Sequence, residues 1–206
     1  MTALELETPH GPARAHLLAA THARGALVLG HGAAGGVTSR DLGAATEAAL
    51  AERFTVALVE QPYRVAGRRS PAPARQLDAA WITVVERLRE GRLHGLKLVV
   101  GGRSSGARVA CRTAEETGAA AVLCLAFPLQ PPRRSGRAPA PSRLAELDAV
   151  RVPVLVVQGE RDPFGIPPAS PSRTVVRVAG DHSLRSDVPA VTAAVRSWLA
   201  EWVAAD

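Results

Sequence analysis

The chain has 206 residues, of which 47% are hydrophobic and 21% charged, and its formal net charge is +6. This length suits one domain with a substantial core, so we expect residues 1–206 to form a single domain. Aromatic residues make up only 3% of the chain. The positive charge therefore indicates a basic solvated surface. No nucleic-acid partner is expected, because the aromatic side chains on which nucleic-acid-binding proteins stack bases are scarce.

The sequence also indicates the compartment. Its first residues lack the basic and then apolar pattern of a signal peptide, and no apolar run reaches the ~18 residues of a membrane span. Two cysteines, Cys111 and Cys124, occur in segments that are typical of buried structure. We therefore expect two buried thiols and no disulfide framework, no membrane partner and a cytoplasmic location.

Short apolar runs bounded by glycine, proline or charge predict buried strands along the whole chain. They cover 26–30, 55–59, 96–100, 121–126, 154–157 and 174–178, and residues 14–20 could add an edge strand.

Helical patterns lie between these runs. They cover 38–53, with a capping box at Thr38 and Asp41, then 77–88, 105–117 and the region after Asp187. This alternation predicts an α/β fold with a mostly parallel sheet and helices on both faces. Such sheets bind ligands at the carboxyl ends of their strands.

Three residues at strand ends suggest nucleophilic catalysis. Ser104, Asp162 and His182 each follow a different predicted strand, in the chain order serine, acid, histidine. Ser104 lies between Gly102 and Gly106, which matches the G-x-S-x-G turn that presents a nucleophile above an α/β sheet. Ser105 would have larger neighbours at those two positions, so Ser104 is the candidate nucleophile, His182 the base and Asp162 the orienting acid.

An oxyanion hole is expected beside the nucleophile. The backbone N–H of Ser105, at the start of a predicted helix, would be one donor, and the glycine-rich loop near Ala33 would supply the second. His31 opens that loop, and we interpret it as a residue that shapes the loop and not as the base.

Five motifs together resemble a known family: "GHGAAGG", "GGRSSGARVA", "FPLQPP", "VVQGERDPFG" and "DHSL". They look like the small α/β-hydrolases of the dienelactone-hydrolase-like family, in the branch that includes a testis-expressed protein and a subunit of a chromatin acetyltransferase complex. The resemblance spans about residues 25–202. It implies an α/β-hydrolase fold, a triad of Ser104, Asp162 and His182, and neither a metal nor an organic cofactor.

The resemblance also bears on the reaction. Dienelactone hydrolases proper use a cysteine nucleophile where this chain has Ser104, so hydrolysis of a small-molecule ester or thioester through an acyl-enzyme is the leading hypothesis. Some members of the branch serve as interaction modules. The alternative hypothesis is therefore a non-catalytic binding or interaction module with the same fold.

The pocket can be outlined only partly. The position of a cap domain holds a loop rich in proline and arginine, residues 128–142, so we expect no separate cap domain and an open site. Arg103, Glu60 and Tyr63 lie at strand ends and are candidate substrate-binding residues. Arg103 would either bind a substrate carboxylate or form an ion pair with Glu60 or a similar acid. The sequence assigns no oligomeric state.

Overall fold

The computed structural model describes residues 1–132, 138 and 140–204, and within them one eight-stranded sheet is flanked by helices. The strands are β1 (Thr2–Leu6), β2 (Ala13–Leu18), β3 (Gly25–Gly30), β4 (Phe54–Glu60), β5 (Leu98–Arg103), β6 (Ala121–Leu125), β7 (Val154–Gly159) and β8 (Arg173–Val178). The helices are α1 (Arg40–Ala51), α2 (Pro62–Val65), α3 (Ala74–Glu90), α4 (Ser105–Arg112), α5 (Leu144–Asp148) and α6 (Val188–Ala204).

The strands lie in the order β1-β2-β4-β3-β5-β6-β7-β8. All neighbours from β4 to β8 are parallel, whereas β2 is antiparallel to both β1 and β4. The prediction of a mostly parallel sheet is therefore confirmed. The sequence did not predict β1, which takes the edge position, so β2 lies inside the sheet.

Helices cover both faces of the sheet, as predicted. One core cluster packs α3, α4 and α5 against the sheet, with Trp81 and Val109 among its buried residues. The other packs α1 and α6 against the opposite face, through Leu42 and Val195 among others. Strands buried on both faces carry continuous apolar runs, and this is why the sequence revealed the central strands so clearly.

The helix boundaries differ from prediction at α3, which extends beyond 77–88 to Ala74–Glu90, and at two further helices. The capping box of Thr38 and Asp41 does not form: α1 begins at Arg40 after an extended Ser39 that makes no side-chain cap bond. The carboxylate of Asp41 contacts Arg103 instead, at 2.8 Å. Helix α4 ends at Arg112, earlier than expected. The predicted cap of α6 is present, because Asp187 accepts the N–H of Ala190 at 3.0 Å.

The segment in the position of a cap domain is only partly described. Residues 133–137 and 139, which include Arg133, Arg134 and Arg137, lie outside the described residues. The described part of 128–142 forms neither helix nor strand, and α5 follows it directly.

Two further expectations concern the cysteines and the membrane. Cys111 and Cys124 are free thiols, both buried, with their sulfur atoms 3.5 Å apart, so the prediction of two buried thiols is confirmed. Among the described helices, none is long and apolar enough to cross a membrane.

Candidate active site

Ser104 lies at the sharp turn between β5 and α4. Its backbone has φ 52° and ψ −106°, a conformation that non-glycine residues rarely adopt and that costs about 1–3 kcal/mol. The turn is fixed by the sheet, because the N–H of Ser104 donates to the carbonyl of Leu125 at 2.9 Å. Strain held in place by the surrounding structure is typical of a functional residue.

The two flanking glycines allow this turn to pack against β3. A Cβ at Gly102 would lie 2.5 Å from the carbonyl oxygen of Gly30, and a Cβ at Gly106 would lie 2.4 Å from the same oxygen. Both contacts are with backbone, which cannot move aside without disturbing the strand. The glycine spacing that identified Ser104 therefore has a direct steric cause.

His182 and Asp162 meet Ser104 at the carboxyl edge of the sheet. Asp162 follows β7, and His182 follows β8. Nε2 of His182 lies 2.9 Å from Oγ of Ser104, and Nδ1 of His182 lies 2.8 Å from Oδ2 of Asp162. The parallel strands thus bring His182 to Ser104, which is 78 residues away in sequence, and to Asp162, which is 20 residues away.

The carboxylate of Asp162 is fully enclosed, with none of its side chain exposed. Its Oδ2 accepts a hydrogen bond from Nε2 of Gln158 at 2.8 Å, and its Oδ1 accepts the N–H of Phe164 at 2.8 Å. These donors stabilise the negative charge in a buried position. They also leave Oδ2 facing the imidazole of His182.

Sequence reasoning missed Gln158 and Phe164. Gln158 is fully buried, and its amide group also lies 3.0 Å from the carbonyl of Phe127, so it ties the acid loop to the end of β6. The only feature of the sequence that pointed to Gln158 was its polar side chain within the otherwise apolar strand β7. The ring of Phe164 packs on the ring of His182 with centroids 4.4 Å apart, which restricts the imidazole on one side.

His31 shapes the glycine-rich loop after β3. Its Nδ1–H donates to the carbonyl of Gly32 at 2.8 Å, and its Nε2 accepts the N–H of Gln61 at 3.1 Å. The second bond requires the neutral ring, because a protonated Nε2 could not accept it, and burial lowers the pKa of His31 below its usual value. The structure places His31 in contact with this loop and not in the hydrogen-bonded chain of Ser104.

Ala33 lies in the same loop and is held by Tyr63. The hydroxyl of Tyr63 donates to the carbonyl of Ala33 at 2.9 Å, and burial raises the pKa of Tyr63 to about 12. Ser105, the other candidate oxyanion donor, is the first residue of α4. Its N–H belongs to the first turn, whose N–H groups have no acceptor within the helix and are oriented at a positive dipole end.

The remaining candidate residues, Arg103 and Glu60, each contact charged side chains of the protein itself. Nε of Arg103 lies 2.8 Å from Oδ2 of Asp41, whereas Glu60 contacts His16 at 2.9 Å and Arg14 at 3.8 Å. Of the two acids that the sequence left open as ion-pair partners of Arg103, Glu60 or a similar acid, the structure shows the second, which is Asp41. Asp41 was not foreseen because it lies on α1, far away in sequence.

The site has few features of a metal centre. Among the described residues, no three His, Cys, Asp or Glu side chains are grouped so that they could hold a metal ion. The side chain of His182, the middle residue of the hydrogen-bonded series, is 18% exposed, so solvent reaches this part of the site.

Comparisons with known proteins bear on the family and on the fold. A family model described as "Alpha/beta hydrolase domain" matches residues 23–189. No curated protein matches the chain.

Solved structures resemble the chain over almost its whole length. Three of them are an α/β serine hydrolase without a lid from Xanthomonas campestris, a dienelactone hydrolase from Anabaena variabilis and the esterase domain of a Rhodothermus marinus protein. Their identities are 18%, 16% and 13%, and their TM-scores are 0.75, 0.72 and 0.68. In the same order, the alignments cover 98%, 99% and 98% of this chain and 94%, 96% and 98% of the three solved chains. The predicted α/β-hydrolase fold is confirmed.

Proposed function

Because this chain belongs to the alpha/beta hydrolase domain family, we propose that it is a serine hydrolase that cleaves a small-molecule ester or thioester. The observation that carries the proposal is the hydrogen-bonded chain in which His182 lies 2.9 Å from Oγ of Ser104 and 2.8 Å from Oδ2 of Asp162. A serine is a weak nucleophile on its own, and an adjacent base held by a third group activates it. The buried, doubly hydrogen-bonded Asp162 fits the role of that third group.

The reaction would proceed in two steps. Oγ of Ser104 attacks the carbonyl carbon while Nε2 of His182 takes the hydroxyl proton, and the resulting imidazolium is stabilised by Asp162. The tetrahedral intermediate then collapses, and His182 donates the proton to the departing alcohol or thiol. Water, deprotonated by His182, hydrolyses the acyl-enzyme, which releases the carboxylic acid and restores the Ser104 hydroxyl.

The negative oxygen of each tetrahedral intermediate requires donors that are already in place. We assign these to the backbone N–H groups of Ser105 and Ala33. Two observations support the assignment: Ser105 begins α4, and the carbonyl of Ala33 is held by the hydroxyl of Tyr63, which restrains this residue in the loop beside Ser104.

The non-catalytic module is the competing proposal. It predicted a Ser104 hydroxyl out of reach of His182, whereas the two groups lie at hydrogen-bond distance, and this favours catalysis. We retain two finer assignments as proposals only: the cytoplasmic location, and the branch with the testis-expressed protein and the acetyltransferase subunit. The proposed mechanism uses no metal or organic cofactor.

An ester panel tests the proposed function. Purified protein is assayed on p-nitrophenyl esters and matched thioesters of graded acyl length. We expect hydrolysis of the short members, and we expect Ser104→Ala to lower kcat/KM by about 10⁴-fold or more while the protein stays folded. Equal activity of wild type and Ser104→Ala would contradict the proposal.

A further inference from the structure

Arg103 is the last residue of β5 and directly precedes the proposed nucleophile. We propose that Arg103 is a positioning residue, which holds the loop of His182 and the loop of Gly32 in place around Ser104 and does not bind the substrate. The inference rests on the proposed function, because it assigns Arg103 a role in the same site. It also decides between the two roles that the sequence left open.

The guanidinium joins two elements that are distant in sequence. Its Nε lies 2.8 Å from Oδ2 of Asp41 in the first turn of α1. Its Nη2 donates to the backbone carbonyl of His182 at 3.1 Å. The first contact is an ion pair, whereas this hydrogen bond fixes the peptide of the base itself, from which the imidazole reaches Ser104.

The third nitrogen packs against the glycine-rich loop. A Cβ at Gly32 would lie 2.6 Å from Nη1 of Arg103 and 3.7 Å from the Cβ of Ser104. The loop therefore packs against the guanidinium at Gly32. This residue directly precedes Ala33, the proposed oxyanion donor. Glycine at position 32 is what allows this approach.

The same contacts leave Arg103 poorly suited to hold a substrate carboxylate. The side chain of Asp41 is only 1% exposed, so its charge faces Arg103 and not water, and Arg103 itself is 19% exposed. A substrate carboxylate would have to compete with a buried carboxylate that is already in place. Removing either partner would leave the other charge buried and unpaired, which is strongly unfavourable.

The positioning role follows from the planar shape of the side chain. Guanidinium offers donors in a rigid fork, so one residue can contact Asp41, the loop of Gly32 and the carbonyl of His182 at once. A lysine has one flexible ammonium group and could not satisfy all three. A displacement of about 1 Å in a catalytic group can cost about 10²-fold in rate, so loss of this anchor should slow the reaction.

The test compares two p-nitrophenyl esters of equal acyl length, one ending in a methyl group and one in a carboxylate. For Arg103→Ala we expect kcat to fall by about 10²-fold on both esters, with each KM within about twofold of wild type. Added guanidinium ion should restore part of kcat. A loss confined to the carboxylated ester and expressed as a raised KM would overturn the proposal, and so would an unchanged kcat.

Arg112→Ala is the matched control. Arg112 also forms ion pairs, with Asp78 and Glu146, and its side chain is 21% exposed, but it lies at the far end of α4. We expect this variant to keep kcat within about twofold and to show no response to guanidinium, as for an ion pair remote from the reacting atoms. Should Arg103→Ala not fold, Arg103→Lys is measured in the same way, with a loss of kcat on both esters expected.

A spectroscopic readout separates failure of this inference from failure of the proposed function. If wild type hydrolyses no ester, the proposed function fails, but the Nδ1–H proton of His182 can still be followed by NMR. A positioning role predicts that this signal shifts or broadens in Arg103→Ala and not in Arg112→Ala. An unchanged signal in Arg103→Ala would overturn the inference.

Discussion

The backbone of Gly106 lies against that of Gly30 so closely that a Cβ on Gly106 would be 2.4 Å from the Gly30 carbonyl oxygen. Through this contact the start of α4 packs against β3, and the packing determines how far Ser104 lies above the sheet. The position of the nucleophile is thus determined by backbone packing as much as by its own side chain.

The first prediction concerns this contact. Gly106→Ala should destabilise the fold by about 2–3 kcal/mol, because the added methyl group forces the backbone apart. It should also lower kcat by about 10²-fold through displacement of Ser104. Urea unfolding and ester kinetics would measure the two effects.

Gly43→Ala is its matched control. Gly43 lies within α1, and apart from its chain neighbours and the backbone of its own helix, no atom lies within 4 Å of the position its Cβ would take. The same substitution there should stabilise the protein by about 0.5–1 kcal/mol and leave kcat unchanged. Equal effects of the two substitutions would show that close packing at Gly106 is not the cause.

The second prediction tests Tyr63. Its hydroxyl donates to the carbonyl of Ala33, so Tyr63→Phe should loosen the proposed oxyanion loop and lower kcat about fivefold, the equivalent of about 1 kcal/mol for one hydrogen bond. KM should stay constant. The pKa of Tyr63 is raised to about 12 by burial, so the ratio of wild-type to variant kcat should not change up to pH 9. An increase in KM without loss of kcat would instead assign Tyr63 to substrate binding.

The third prediction concerns acid stability. Burial lowers the pKa of His31, so between its unfolded value of about 6.5 and its lower folded value the unfolded chain binds more protons. The stability that neutral His31 contributes is therefore complete above about pH 6.5 and decreases as the pH falls, by up to about 1.4 kcal/mol per pH unit. Urea unfolding between pH 7.5 and 5 would measure this slope.

Two variants isolate the contribution of His31. His31→Gln offers a neutral acceptor to the N–H of Gln61 and should have a shallower slope than wild type. His94→Gln, at an exposed position between α3 and β5, should keep the wild-type slope. If His31→Gln loses stability with acid as steeply as wild type, burial of neutral His31 is not responsible.

The sequence predicted those parts of the fold and site that depend on local patterns. Continuous apolar runs revealed the buried strands, and the glycines around Ser104 identified the serine turn because their steric requirement is local. The edge strand β1 was missed, because its residues are mostly exposed and lack an apolar run.

The partners of the site residues depend on how distant elements pack. Asp41 and Arg103 are on different elements, and nothing near Arg103 in the sequence indicates their contact. Gln158 was missed for a similar reason, because its bond to Asp162 exists only once the loop after β7 folds back. Such contacts follow from the assembled sheet and not from residue spacing.

Covalent labelling shows directly whether Ser104 is the nucleophile. A fluorophosphonate probe is incubated with folded wild type, Ser104→Ala and Ser105→Ala, and the modified residue is located by mass spectrometry. We expect one label per chain, on Ser104, absent from Ser104→Ala and retained by Ser105→Ala, whose backbone N–H is intact. No label on folded wild type, or a label on Ser105, would contradict it.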